Sequence, residues 1–137
     1  MKNDFTCENI KVDEVSPLNL AFVGDGVFDL LVRNYLIGQA NRPVGELNKM
    51  KVAFVNCKSQ AEFAKILLPS LSEKETAVYK RGRNASPKCT PKNGTVADYH
   101  SATGLEALFG YLYLKGETQR INELFEEIIH ISLLPKI

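Results

Sequence analysis

Cysteine is scarce in this 137-residue chain, which holds only Cys7, Cys57 and Cys89. They are odd in number and widely spaced, with no CxxC pair and no adjacent histidine. That argues against a disulfide framework and a zinc site, and all three read as thiols. Histidine is scarcer still, because His100 and His130 are the only two and do not form an HxxxH pair. Nine glycines and six prolines, with 45% hydrophobic and 24% charged residues, place the chain among globular proteins rather than disordered or collagen-like ones. No run approaches the roughly 18 apolar residues of a membrane span. The opening MKNDFTCENI lacks the apolar stretch of a signal peptide, so a cytoplasmic location with no membrane partner is expected. The length suits one domain over residues 1–137, with a core from about 16 to 133.

Net charge is also lacking, at +1, but its distribution is uneven. Between Thr76 and Ala97 no acidic residue occurs, while Lys80, Arg81, Arg83, Lys88 and Lys92 contribute five positive charges and leave the remainder at a formal −4. The same stretch, RGRNASPKCTPKNGTV, contains Pro87, Pro91, Asn93 and Gly94, which favours a basic loop suited to holding an anion.

Elsewhere the apolar spacing is helical, and alternating strand patterns are absent, so the expected fold class is all-α. Ser16 and Pro17 read as the N-cap and first position of a helix reaching Gly38. Further helices are predicted from about Val44 to Cys57, from about Ser59 to Leu68 with Pro69 as the stop, and from the Ser72/Glu75 capping box to near Arg83. Two more, about Ala97–Lys115 and Glu117–Ser132, are separated by Gly116 as a C-cap.

Two carboxylates sit among apolar neighbours. Asp25 lies in LNLAFVGDGVFDLLV and Glu106 in ATGLEALFGYLYL, and burial of either would require a counter-charge. Asp29 has Arg33 one turn on as a partner; Asp25 has none on its own helix. Gly24 and Gly26 around Asp25, and Gly104 and Gly110 around Glu106, weaken their helices and suggest a closely approaching backbone. If the two helices cross there, the carboxylates meet and can share a divalent cation. Alternatively, each reaches solvent or pairs with Lys or Arg. Spacing alone leaves both open.

Three blocks, in order, resemble the ribonuclease III catalytic domain and most closely its stand-alone Mini-III branch. LAFVGDGVFDLLVR (Leu20 to Arg33) is similar to the signature LEFLGDAVLEL and places the signature aspartate at Asp25. GELNKMKVAFVN (Gly45 to Asn56) is similar to the second family helix, with Lys51 where arginine is usual. TGLEALFGYLYLKGE (Thr103 to Glu117) is similar to DTFEALIGAIYLDGG and places the catalytic glutamate at Glu106. RGRNASPKCTPKN (Arg81 to Asn93) also resembles the basic loop of that branch. Ordinary members gather four carboxylates, but Ala21 and Thr103 stand at two of those positions, as Mini-III sequences allow. The chain leaves no room for a double-stranded-RNA-binding domain after its last helix, another Mini-III trait.

The resemblance implies a Mg2+-dependent endoribonuclease, with Mn2+ as a substitute, that cleaves double-stranded RNA to 5′-phosphate and 3′-hydroxyl ends. Asp25 and Glu106 would be catalytic and would hold the metal, with Thr103 and Asp29 beside them. For Thr103, helix packing is the competing role. Arg81, Arg83, Asn84, Lys88 and Lys92 would bind RNA. A homodimer through the first signature helix is expected, with Val27, Phe28 and Leu31 leaving apolar surface to cover. The implied substrate is precursor 23S ribosomal RNA, and a large-subunit ribosomal protein is an implied partner. Two rivals stand beside this reading. One is a catalytically inactive RNA-binding or ribosome-associated module. The other is a nucleotide pyrophosphohydrolase, suggested by Glu123, Glu126 and Glu127 and weakened by the lack of a second acidic motif.

Overall fold

Local capping chemistry sets the helix boundaries, and most follow the sequence pattern. A computed structural model describes residues 9–86 and 94–131, and every regular element among them is helical. A 3-10 turn at Val12–Glu14 precedes α1 (Pro17–Gln39), α2 (Val44–Phe54) and α3 (Cys57–Leu67). A second 3-10 turn, Leu68–Ser70, leads to α4 (Glu73–Ala85), α5 (Val96–Leu114) and α6 (Thr118–Ile131). Cys7, Cys89, Lys88 and Lys92 lie outside the described residues.

The break between α2 and α3 falls earlier than the apolar spacing suggests. Asn56 caps both ends, accepting the Ser59 N–H at 2.8 Å and donating from Nδ2 to the Val52 carbonyl at 2.7 Å. The Ser72/Glu75 capping box forms as expected, with bonds of 3.1 and 2.9 Å. However, α4 continues to Ala85, so Arg81, Arg83 and Asn84 are helical rather than in a loop. The helix ends only where Ser86, extended at ψ 133°, precedes Pro87, whose ring disfavours helical backbone at the residue before it. A Thr95/Asp98 box opens α5. At its far end Gly116, with φ 77°, accommodates the left-handed turn while the Glu117 N–H reaches the Leu112 carbonyl at 2.9 Å.

Helix α5 is the central strut, buried around most of its circumference and packed against α1, α3, α4 and α6. Phe28 lies at 0% exposure amid Phe63, Phe109 and Phe125, with ring centroids 6.0, 5.5 and 6.1 Å away. This corrects the expected surface of α1: Phe28 belongs to the core, and Val27 and Leu31 are partly buried. The outward residues are instead Phe22 at 82%, Leu30 at 54% and Ile37 at 57% exposure. Among the described residues, no helix is long and apolar enough to cross a membrane.

Where α1 crosses α5 the backbones touch. A Cβ on Gly24 would lie 1.6 Å from the Glu106 carbonyl oxygen, and one on Gly110 would lie 1.9 Å from the Leu20 carbonyl oxygen. Gly104 likewise meets Tyr79 of α4, but Gly26 faces open space, so the expected close approach is absent there. At the other side of α5, Arg120 of α6 makes a bidentate pair with Glu75 at 2.8 and 2.9 Å and also donates to the Ser70 carbonyl. Gly24→Ala should lower the unfolding free energy by about 3 kcal/mol, since neither backbone can yield. Gly38→Ala, in α1 with nothing within 4 Å, should instead raise it by up to about 1 kcal/mol. Urea unfolding of both variants checks the contrast.

Candidate functional site

The crossing at Gly24 and Gly110 fixes what lies beside it. Asp25 follows the contact glycine on α1, Glu106 supplies the carbonyl that glycine touches, and the two side chains meet. Asp25 is exposed despite its apolar neighbours in sequence, one of the two alternatives that spacing leaves open; Glu106 is half-buried beside it. Burial, followed by the negative charge of Asp25 and a hydrogen bond to its carboxyl, pushes the Glu106 carboxyl up to about 8. Gln60 opposes this shift by donating from Nε2 to Glu106 Oε2 at 3.4 Å. Among the described residues, no lysine or arginine contributes to the balance at Glu106.

Gln60 was not identified from the sequence. It is 4% exposed on α3, in the stripe formed by Ala61, Phe63, Ala64 and Leu67. A glutamine on the apolar face of a helix is the signal that could have found it, because a buried amide needs a polar partner. Among the described residues, no group of three or more His, Cys, Asp or Glu side chains could hold a metal. The site is therefore two carboxylates backed by one amide.

The remaining candidates lie in other arrangements. Asp29 is engaged by Arg33 Nε at 2.5 Å and Lys51 Nζ at 3.2 Å, so it ties α1 to α2. Desolvation tends to raise its carboxyl, but the combined effect of Arg33 and Lys51 holds it below the ordinary range. Thr103 is buried; its hydroxyl donates to the Tyr99 carbonyl at 3.0 Å and lies 3.1 Å from Ser86 Oγ. That places a packing and tethering contact at the position one turn before Glu106. On the last turns of α4, Arg81 and Asn84 are exposed. Arg83 lies over the Tyr79 ring, 5.7 Å from its centroid, and donates to Asn84 Oδ1 at 3.3 Å. Glu123 accepts from Arg120 and Glu127 from Ser70, while Glu126 is exposed, so this acidic run serves a helix surface.

A Glu106 carboxyl raised by burial and by the adjacent Asp25 marks a site short of positive charge. That donor set of hard oxygens fits a divalent cation. The same imbalance has a thermodynamic consequence. Because the folded state raises the Glu106 carboxyl above its ordinary 4.5, it binds that proton more tightly than the unfolded chain does. Without divalent cations, stability should therefore fall as pH rises from about 4.5 to about 8 and level off above that. Thermal melts in chelator should show this decline, and Glu106→Gln should flatten it.

Comparison with known proteins agrees with this architecture. The Ribonuclease III domain family matches residues 18–117. A Mini-ribonuclease 3 from Thermoanaerobacter sp. (strain X514) is 44% identical over 117 residues, covering 85% of this chain and 82% of that protein. A Mini-ribonuclease 3 from Clostridium tetani is 36% identical, covering 93% of this chain and 84% of the relative. The crystal structure of a Fusobacterium nucleatum protein is similar, with a TM-score of 0.79 and 33% identity over 90% of this chain and 99% of that one. With the family match spanning both carboxylates and the helical crossing that joins them, the chain belongs to the ribonuclease III domain family and is a ribonuclease of that family.

Proposed function

We propose that this chain is a Mg2+-dependent endoribonuclease of double-stranded RNA in which Asp25 and Glu106 are the catalytic, metal-holding pair. The observation that carries the reading is the meeting of these carboxyls at the α1–α5 crossing, with no cationic side chain among the described residues acting on Glu106. When bound, Mg2+, or Mn2+ in its place, supplies a more acidic water and neutralises charge developing on the phosphate oxygens. Asp25, at the lip, offers its oxygens from the solvent side, and Glu106 offers its own from the half-buried side. Thr103 and Asp29 support the pair from one turn away, through the α4–α5 tether and the α1–α2 ion pair. The whole chain works as one catalytic domain.

An A-form duplex presents phosphates and 2′-hydroxyls, which are recognised through shape and charge. Arg81, Asn84 and the stacked Arg83 offer such contacts from the end of α4, whose flank packs on the helix carrying Glu106. Lys88 and Lys92, beyond the described part of that segment, extend the basic set. The proposed physiological substrate is precursor 23S ribosomal RNA in the cytoplasm, trimmed with the help of a large-subunit ribosomal protein. The Mini-III resemblance supports that assignment. The outward face of α1, with Phe22 at 82% exposure, supports a homodimer that places two sites on one duplex.

Incubation of the purified protein with duplex RNA and Mg2+ tests the reading. Wild type should cut, whereas Asp25→Asn and Glu106→Gln should reduce single-turnover cleavage at least about 100-fold while still binding RNA. Arg81→Ala combined with Arg83→Ala should show the opposite defect. Affinity falls, its salt dependence becomes shallower by roughly 0.7 to 0.9 log units per lost phosphate contact, and cleavage at saturating RNA survives. RNA binding without any cleavage by wild type would instead identify an inactive RNA-binding module. For the dimer, Phe22→Glu should convert a two-chain species into single chains in sedimentation velocity at micromolar concentration.

A further inference from the structure

Of the described polar side chains named beside the carboxylate pair, Asp29 and Thr103 are committed elsewhere, and Gln60 is not. Asp29 is held by Arg33 and Lys51, and the Thr103 hydroxyl is engaged by Tyr99 and Ser86. Ala21 contributes no polar atom. Gln60 remains. It projects from α3, is 4% exposed and hydrogen-bonds Glu106, whereas Asp25 is exposed to solvent. From interior to surface the order is an amide, a half-buried carboxyl and an exposed carboxyl.

We infer that Gln60 is a positioning residue for the site, its amide gripping one oxygen of Glu106 from inside so that the carboxylate meets a divalent cation already oriented beside Asp25. The inference rests on the cation reading proposed above. A long glutamate side chain has several rotamers, and fixing one before the cation arrives removes that ordering from the cost of binding. Two carboxylates give fewer protein oxygens than four, so the orientation of each counts for more. Gln60 itself does not contact the substrate in this role. The rest of the α3 face could be apolar throughout without loss of packing, which leaves the glutamine without a reason unless its amide is used.

Gln60→Met tests this, because it nearly preserves length and volume but removes the donor. Gln60→Leu, in keeping with the rest of the stripe, is the second variant should methionine disturb folding. Each is titrated with MgCl2 by calorimetry in the absence of RNA, alongside wild type and Asp25→Asn. Single-turnover cleavage of a duplex is then followed across a Mg2+ series. The expected result is a loss of Mg2+ affinity of about 10- to 100-fold in the Gln60 variants, with cleavage recovering to near wild type once Mg2+ is saturating. Unchanged Mg2+ affinity in both Gln60 variants, with affinity lost in Asp25→Asn, overturns the role of Gln60 and leaves the metal pair standing. Cleavage that saturating Mg2+ fails to restore also overturns it, since positioning for the cation is the claimed action. Absence of Mg2+ binding by wild type overturns the cation reading and the role of Gln60 together.

Discussion

The structure depends on one contact, the backbone-to-backbone crossing of α1 and α5 at Gly24 and Gly110. Helices separated by ordinary side chains lie about 8 to 10 Å apart, and the carboxyls of Asp25 and Glu106 would then face each other across a layer of packing. Here the Glu106 carbonyl rests where a Gly24 side chain would have to be, so the residues flanking the contact are brought together. The same closeness lets α5 pass through the centre of the bundle and remain buried nearly all round. Glycine weakens both helices locally, and the tertiary contact more than offsets that loss.

A crossing that forces two acidic side chains together destabilises the fold that holds them. Burial and repulsion both act on Glu106, and no basic side chain among the described residues relieves them. The opposite arrangement appears at Glu75, where Arg120 makes two hydrogen bonds and holds the carboxyl below its ordinary range. Both glutamates are shielded from solvent to a degree, Glu75 buried on α4 and Glu106 half-buried on α5. One is neutralised by a guanidinium, the other left open. Structural stability would favour the first solution everywhere, and the second is what the proposed binding of a cation at Glu106 would require.

Helix identity and the main boundaries could be read from capping residues and apolar spacing, because both act within a few residues. Glycines repeated beside each acid make the meeting of Asp25 with Glu106 one of two readings that spacing leaves open. What could not be read was which face of α1 turns inward. Phe22, Phe28, Leu30, Leu31 and Ile37 make the helix apolar on two sides, and periodicity cannot say which side meets the core. Apolar spacing therefore puts Phe28 at the surface although it is fully buried, and leaves open whether Asp25, which is exposed, faces solvent. Gly26 looked identical to Gly24 because contact with α5 is a property of two helices, not one. The extent of α4 was obscured for another reason. Proline, glycine and basic residues shared one compositional window, but the helix continues until the residue before Pro87. Gln60 could have been noticed as a lone amide in an apolar stripe, but its partner lies 46 positions away on α5.

Residues 22, 25 and 28 show how a single helix serves three environments. A step of three residues turns a helix through about 300°, so each successive position moves about 60° around the axis in the same sense. Phe22 projects into solvent at 82% exposure, Asp25 stands at the lip of the carboxylate pair, and Phe28 closes the core at 0%. A second copy covering Phe22 would border the site without touching the contact that forms it, because Gly24 and Gly110 belong to one chain. Assembly and site geometry are thereby separable in principle. The dimer would set where two sites fall on a duplex, and the intrachain crossing would set what each site can hold.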